Sequence, residues 1–181
     1  MVERLKLTGQ FPNFLSVLRL LVSWVPLWLL LTGPAEGDGN RWLALTAFVL
    51  IALTDKLDGI LARAWDQITK FGKIMDPLAD KALVLLSLIG LCLTGLAEPF
   101  GWIVFGVIIA RELAVTLLRF QKSRSNLIVP ANRDGKIKMA LQSIGITIAF
   151  MPFDWAQWTA LGVLTLSLYH GIKSGWAYVK A

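Results

Sequence analysis

The sequence predicts an all-α, polytopic membrane protein: six transmembrane helices with an N-terminal interfacial segment. Three observations carry that prediction. Apolar residues make up 56% of the 181 and fall in long blocks rather than narrow amphipathic stripes, with a mean hydropathy of +0.63. Each block is expected to be long enough to cross a hydrocarbon core of about 30 Å, which takes about 20 helical residues. Charged residues amount to only 17% of the chain, against about 25% in soluble domains, and the ten-residue alternation of a transmembrane β-barrel is missing.

Along the chain, the first ten residues are polar and mixed. Leu5, Leu7 and Phe11 suit the acyl boundary and Arg4 and Lys6 the headgroups, which reads as an interfacial stretch. No cleavable leader is expected, because the first apolar run is longer and cleaner than a signal h-region. The spans expected are 14–31, 42–64, 77–96, 100–120, 137–151 and 155–178. They are separated by turn-rich breaks such as Gly33-Pro34, Gly95 to Pro99 and Pro152-Phe153-Asp154. The fifth is short and polar at its start, so hydropathy alone supports it least. No linker or repeat interrupts residues 1–181, which read as a single domain. Cys92, the only cysteine, lies in an apolar run and reads as a small buried hydrophobe.

Six spans place both ends on one side, and charge says which. Arg4, Lys6, Lys70, Lys73, Lys122, Arg124, Arg133, Lys136, Lys138 and Lys180 gather at one set of ends and loops. The opposite loops offer Arg41 beside Glu36, Asp38, Glu98 and Asp154. The basic side is therefore expected to be cytoplasmic, with both termini there, in the cell (inner) membrane. The net charge of +6 then faces anionic headgroups and anionic substrates. Nucleic acid is a poor partner for charges that flank spans. Trp24, Trp42, Trp102, Trp155, Trp158 and Trp176 lie near the expected span ends or within a few turns of them, where interfacial tryptophans gather.

Carboxylates inside the second and third spans point to chemistry. An aspartate in mid-membrane costs about 2.5–3.5 kcal/mol on insertion scales, and such groups are kept when something binds them. Asp55, Asp58, Gly59, Ala62 and Arg63 follow the i, i+3, i+4, i+7, i+8 pattern of one helical face. Asp76 and Asp80, four apart, share a face of the next helix. If the two helices form an antiparallel hairpin, four carboxylates meet near the cytoplasmic surface. Four oxygen donors without a His or Cys cluster favour Mg²⁺ or Mn²⁺ over zinc, and four can hold two ions about a pyrophosphate. Other readings stand beside this one. Asp76 before Pro77 is what an N-cap and an N1 proline look like. Asp55 with Lys56, or Asp80 with Lys81, could pair, although adjacent helical residues diverge.

The spacing Asp55-x2-Asp58-Gly59-x2-Ala62-Arg63-x8-Gly72-x3-Asp76-x3-Asp80 resembles the signature of the CDP-alcohol phosphotransferases, with all eight fixed positions present. The resemblance implies a six-helix, homodimeric membrane enzyme in which an alcohol attacks the β-phosphorus of a CDP-linked lipid and CMP leaves. It implies that Asp55, Asp58, Asp76 and Asp80 are metal ligands and that Asp80 is also the general base. Asp58, Gly59, Ala62, Arg63 and Gly72 would then cradle the nucleotide.

Three further segments, Pro12 to Arg19, Arg111 to Arg119 and Gly135-Lys136-Ile137-Lys138, are similar to the bacterial phosphatidylglycerophosphate synthase branch of that family. That similarity implies CDP-diacylglycerol as donor and glycerol 3-phosphate as acceptor. An acceptor with its own phosphate needs a second anion site, for which Arg111, Arg119, Lys136 and Lys138 are the candidates. Arg111 and Glu112 also read as a local charge pair, and Lys136 and Lys138 as ordinary positive-inside charges. Met139 stands where the branch usually has Thr. Arg19 either snorkels to the headgroups or lines the site. The alternatives are a cardiolipin or phosphatidylinositol phosphate synthase of the same family, or a small cation transporter whose ion site the aspartates would form.

Overall fold

In the computed structural model, residues 11–32, 39–64, 70–95, 98–124 and 133–180 are described, and side chains within 17–32, 39–54, 78–79, 81–95, 98–118 and 133–176. Every element among these residues is a helix: α1 (Phe11–Val22), α2 (Val25–Thr32), α3 (Gly39–Ala64), α4 (Lys70–Leu93), α5 (Phe100–Arg124), α6 (Arg133–Phe150) and α7 (Asp154–Lys180). The expected interfacial residues 1–10 lie outside the described residues.

The first expected span is two helices rather than one. Pro26 has no N–H, so the carbonyl of Val22 loses its helical donor and the chain turns at Ser23-Trp24. Pro26 then sits in the first turn of α2, where a missing N–H costs little. The break is closed locally. Ser23 N donates to Arg19 O (2.9 Å), Trp28 N to Trp24 O (2.9 Å), and Ser23 Oγ to Leu20 O (2.7 Å). Asn40 Nδ2, at the start of α3, donates to Leu29 O (3.2 Å) and ties the two helices together.

α4 also differs from expectation, and the difference matters for the site. It begins at Lys70, so Asp76 and Pro77 are interior to it. The capping account of Asp76 therefore fails, because an N-cap must precede the first helical turn. At its other end α4 is closed by Gly95, whose N donates to Cys92 O (3.0 Å) and whose φ of 71° is a conformation that L side chains rarely adopt.

Residues Phe100–Leu118 of α5 form the one stretch, among the described residues, long and apolar enough to cross a membrane by length and composition. Val17–Thr32, Gly39–Thr54 and Lys81–Leu93 are apolar but shorter. Large apolar side chains are nonetheless exposed along whole helix faces. On α7 the exposed set is Trp155, Trp158, Leu166, Tyr169, Ile172 and Trp176, at helical spacing from end to end. Soluble monomers rarely leave so long an apolar stripe uncovered; hydrocarbon suits it.

The chain divides into two compact units, Met1–Gly90 and Leu91–Ala181. In the first, α3 packs on α2 and α1. Gly90 of α4 lets Leu27 and Leu30 close in: a Cβ there would lie 2.9 Å from Leu30 Cδ1. In the second, α6 and α7 form an antiparallel pair joined by residues 151–153, and α5 packs on α7. The α6–α7 seam is tightest at Gly145, where a Cβ would meet Leu164 Cγ at 2.7 Å and Cδ2 at 2.8 Å. Leu164 is fully buried and has no room to retreat. Gly145→Val is therefore expected to destabilise the pair by about 1–3 kcal/mol, read as an earlier thermal melt in detergent, whereas Gly162→Ala, where nothing lies within 4 Å, leaves the melt in place.

Candidate functional site

The four aspartates sit in the polar halves of two apolar helices. α3 is apolar over Gly39–Thr54 and α4 over Lys81–Leu93, and the remainder of each helix adjoins the 65–69 connection. Asp58 and Asp76 both stand six residues from the helix ends at that connection, and Asp55 and Asp80 nine and ten. At 1.5 Å per residue these depths are about 9 Å and about 14–15 Å along the helices, matched pairwise. Asp55 and Asp58, like Asp76 and Asp80, have the helical spacing that puts each pair on one face. The side chains of all four, and those of Ala62, Arg63 and Arg119, lie outside the described residues, as do the surroundings of Gly59 and Gly72. The donor set itself suits a hard divalent cation, being all carboxylate.

The second group of candidates is described in atomic detail. Arg111 and Glu112 lie within the apolar stretch of α5, Lys138 in the second turn of α6, and Gly171 in α7. Glu112 is 3% exposed, and its Oε1 accepts from Arg111 Nη1 (2.8 Å), Lys138 Nζ (2.6 Å) and Gln142 Nε2 (3.4 Å). Lys138 and Gln142 reach it together because they are four apart on one face of α6. Arg111 is held on its other edge: Nε and Nη2 both donate to Gly171 O, at 3.1 and 2.6 Å. A mid-helix carbonyl accepts such a guanidinium only where the helix surface is bare. Gly171 makes it so, since a Cβ there would lie 3.3 Å from Arg111 Nε, tighter than ordinary contact.

Charge arithmetic decides what this cluster can do. Two cations brought to one oxygen repel by about 3–4 kcal/mol at an effective dielectric of 20, while each is attracted to Glu112 by about 4 kcal/mol. The trio is thus bound together, yet it retains one surplus positive charge. Arg111 carries five N–H donors and three are engaged, so the cluster remains suited to an anion. Of the predicted acceptor residues, then, Arg111 and Lys138 are brought together. Lys136 is not: it is exposed on α6, two residues and about half a helical turn away from Lys138.

Glu112 as the shared partner, Gln142 and the Gly171 carbonyl were not among the predicted site residues. The signals for them are slight: Lys138 and Gln142 at i, i+4, and Gly171-x3-Gly175 as a small-residue face. A neighbouring link also joins α6 and α7, where His170 Nδ1 lies 3.0 Å from Asp134 Oδ1 and Lys173 Nζ 3.6 Å from Oδ2. The hydrogen bond from His170, aided by the charge of Lys173, holds the Asp134 carboxyl below its usual range. This link is therefore kept above the ordinary carboxylate pKa and lost only as pH falls through the lowered one.

Comparison with known proteins adds to this geometry. Residues 10–169 match the family described as CDP-alcohol phosphatidyltransferase. A protein of Mycobacterium tuberculosis named "Probable phosphatidylglycerophosphate synthase" is 37% identical over 78% of this chain and 66% of its own length. The "CDP-diacylglycerol--glycerol-3-phosphate 3-phosphatidyltransferase" of Bacillus subtilis is 38% identical over 72% of this chain and 68% of its own. That of Rickettsia felis is 29% identical over 98% and 97%. The chain thus spans just under two thirds of the length of the mycobacterial relative and nearly all of the rickettsial one. With the matched stretch enclosing both the aspartate helices and the Arg111–Lys138 cluster, the chain belongs to the CDP-alcohol phosphatidyltransferase family.

Proposed function

We propose that this chain transfers the phosphatidyl group of CDP-diacylglycerol to glycerol 3-phosphate, giving phosphatidylglycerophosphate and CMP. The observation that carries the reading is the complete eight-position aspartate pattern, set on α3 and α4 at matched depths, inside the family-matched residues. The names of the mycobacterial, Bacillus and rickettsial relatives support the choice of acceptor.

In this reading a hydroxyl oxygen of glycerol 3-phosphate attacks the β-phosphorus, the bond to the CMP oxygen breaks, and Asp80 takes the hydroxyl proton. Asp58, Gly59, Ala62, Arg63 and Gly72 seat the nucleotide, Arg63 opposite its pyrophosphate. Arg111 and Lys138 receive the phosphate that the acceptor brings, with Arg119 and Lys136 contributing positive charge nearby in sequence. The family is generally dependent on divalent metal. Here Mg²⁺ or Mn²⁺, two ions by donor count, would be held by Asp55, Asp58, Asp76 and Asp80 and would neutralise charge on the departing phosphate. The family is also membrane-associated. Residues 1–181 form one membrane domain of six spans in the inner membrane, the first span being α1 with α2, and both termini and the site face the cytoplasm. The working unit is a homodimer.

Release of CMP from CDP-diacylglycerol by the purified protein tests the reading, with glycerol 3-phosphate, inositol phosphate and phosphatidylglycerol compared as acceptors. Release with glycerol 3-phosphate alone is expected, lost on chelation and restored by Mg²⁺ or Mn²⁺. Release with a different acceptor would overturn the substrate and keep the family; no release with any acceptor would overturn the enzymatic reading.

A further inference from the structure

The structure assigns Glu112 a role that neither the aspartate pattern nor the basic residues supply: we propose that it is a positioning residue for the acceptor, acting through Arg111 and Lys138. The inference rests on the acceptor reading above. Arg111 and Lys138 come from different helices, α5 and α6, 27 residues apart in sequence. Like charges splay unless something draws them to one point, and Glu112 Oε1 is that point, at 2.8 and 2.6 Å. The guanidinium plane is fixed from the opposite edge by the Gly171 carbonyl, reached over the bare backbone at Gly171. Three helices thus place two cations on the scale of a single phosphate group before any substrate arrives. Such preorganisation lowers the ordering cost of binding an anion.

A second possible role makes an opposite prediction. If Glu112 merely damped positive charge, its neutral replacement would bind a phosphate more tightly. If it positions the cations, the same replacement binds it more weakly, despite the gain in net positive charge. Glu112→Gln keeps the shape and an oxygen acceptor while removing the charge. The expected result is a KM for glycerol 3-phosphate raised about tenfold or more, with the KM for CDP-diacylglycerol within about twofold and kcat changed far less than KM. Gly171→Ala is the companion variant, chosen because it leaves every charge in place: a Cβ 3.3 Å from Arg111 Nε must push the guanidinium by a few tenths of an ångström, and a smaller rise in the same KM is expected. Should Glu112→Gln fail to fold, Glu112→Asp, which keeps the charge but shortens the reach to both cations, takes its place with the same selective rise in KM expected.

An unchanged or lowered KM for glycerol 3-phosphate in a folded variant would overturn the positioning role while the wild-type acceptor preference stood. Equal rises in both KM values together with a lower melting temperature would reduce Glu112 to a structural ion-pair partner and overturn it too. Wild-type protein that ignores glycerol 3-phosphate would instead overturn the acceptor reading, and this inference with it.

Discussion

Asp80→Asn is expected to abolish CMP release, by about 10³-fold or more, while leaving the protein folded. Asparagine has nearly the same volume as aspartate but carries no basic carboxylate, so it cannot take the proton of the attacking hydroxyl. General-base catalysis alone contributes about 10²–10⁴ in rate, and in the proposed reading the lost charge would also weaken metal binding. The helix is not at risk from the change. Asp80 is interior to α4, which begins at Lys70 and runs on to Leu93, and asparagine and aspartate have similar helix propensities. The turnover number, measured beside the far-ultraviolet circular dichroism and thermal melt of the variant, checks both halves. Near-normal turnover would remove Asp80 from the base role.

The second large effect falls on stability. Glu112→Ala removes a carboxylate shared by Arg111 and Lys138, whose side chains are 13% and 8% exposed. Breaking a buried pair by deleting one partner costs about 3–5 kcal/mol; here two cations lose the carboxylate they share. The variant is therefore expected to melt well below the wild type in detergent. Glu112→Gln should melt between the two, since its amide oxygen still accepts from both cations. The double variant Glu112→Ala with Lys138→Met should recover part of the loss, because it also removes the repulsion between Lys138 and Arg111. A Glu112→Ala melt indistinguishable from wild type would show that water or lipid headgroups already screen this cluster.

What the sequence reveals and what it hides follow from the range of the interactions concerned. The aspartate pattern is legible because its spacing of three and four residues is the helix's own repeat, and because a carboxylate in an apolar run is costly. The helical class is legible from the apolar blocks. Pro26 is visible as well, yet a hydropathy window averages over the break at Ser23-Trp24 and gives one span where α1 and α2 stand. Asp76 before Pro77 imitates a helix start; only the extension of α4 back to Lys70 shows that neither is terminal.

The contacts that build the basic cluster are long-range and leave almost no local trace. Glu112 meets Lys138 across 26 residues and Arg111 meets Gly171 across 60. From sequence alone, Arg111 beside Glu112 looks like a neighbouring charge pair, and that pair does form. What sequence spacing does not convey is that the same carboxylate oxygen also holds Lys138, or that Lys136 is left outside. Lys136 and Lys138 look equivalent as positive-inside charges. A separation of two residues puts them on different sides of a helix, and packing against α7 decides which one is buried.

Transfer of label from radioactive glycerol 3-phosphate into lipid is the decisive assay for the proposed reaction. Purified protein in liposomes containing CDP-diacylglycerol and Mg²⁺ is expected to move the label into the organic phase as phosphatidylglycerophosphate, one equivalent for each CMP released. Label that stays in the aqueous phase while CMP is released, with or without another acceptor, would contradict it.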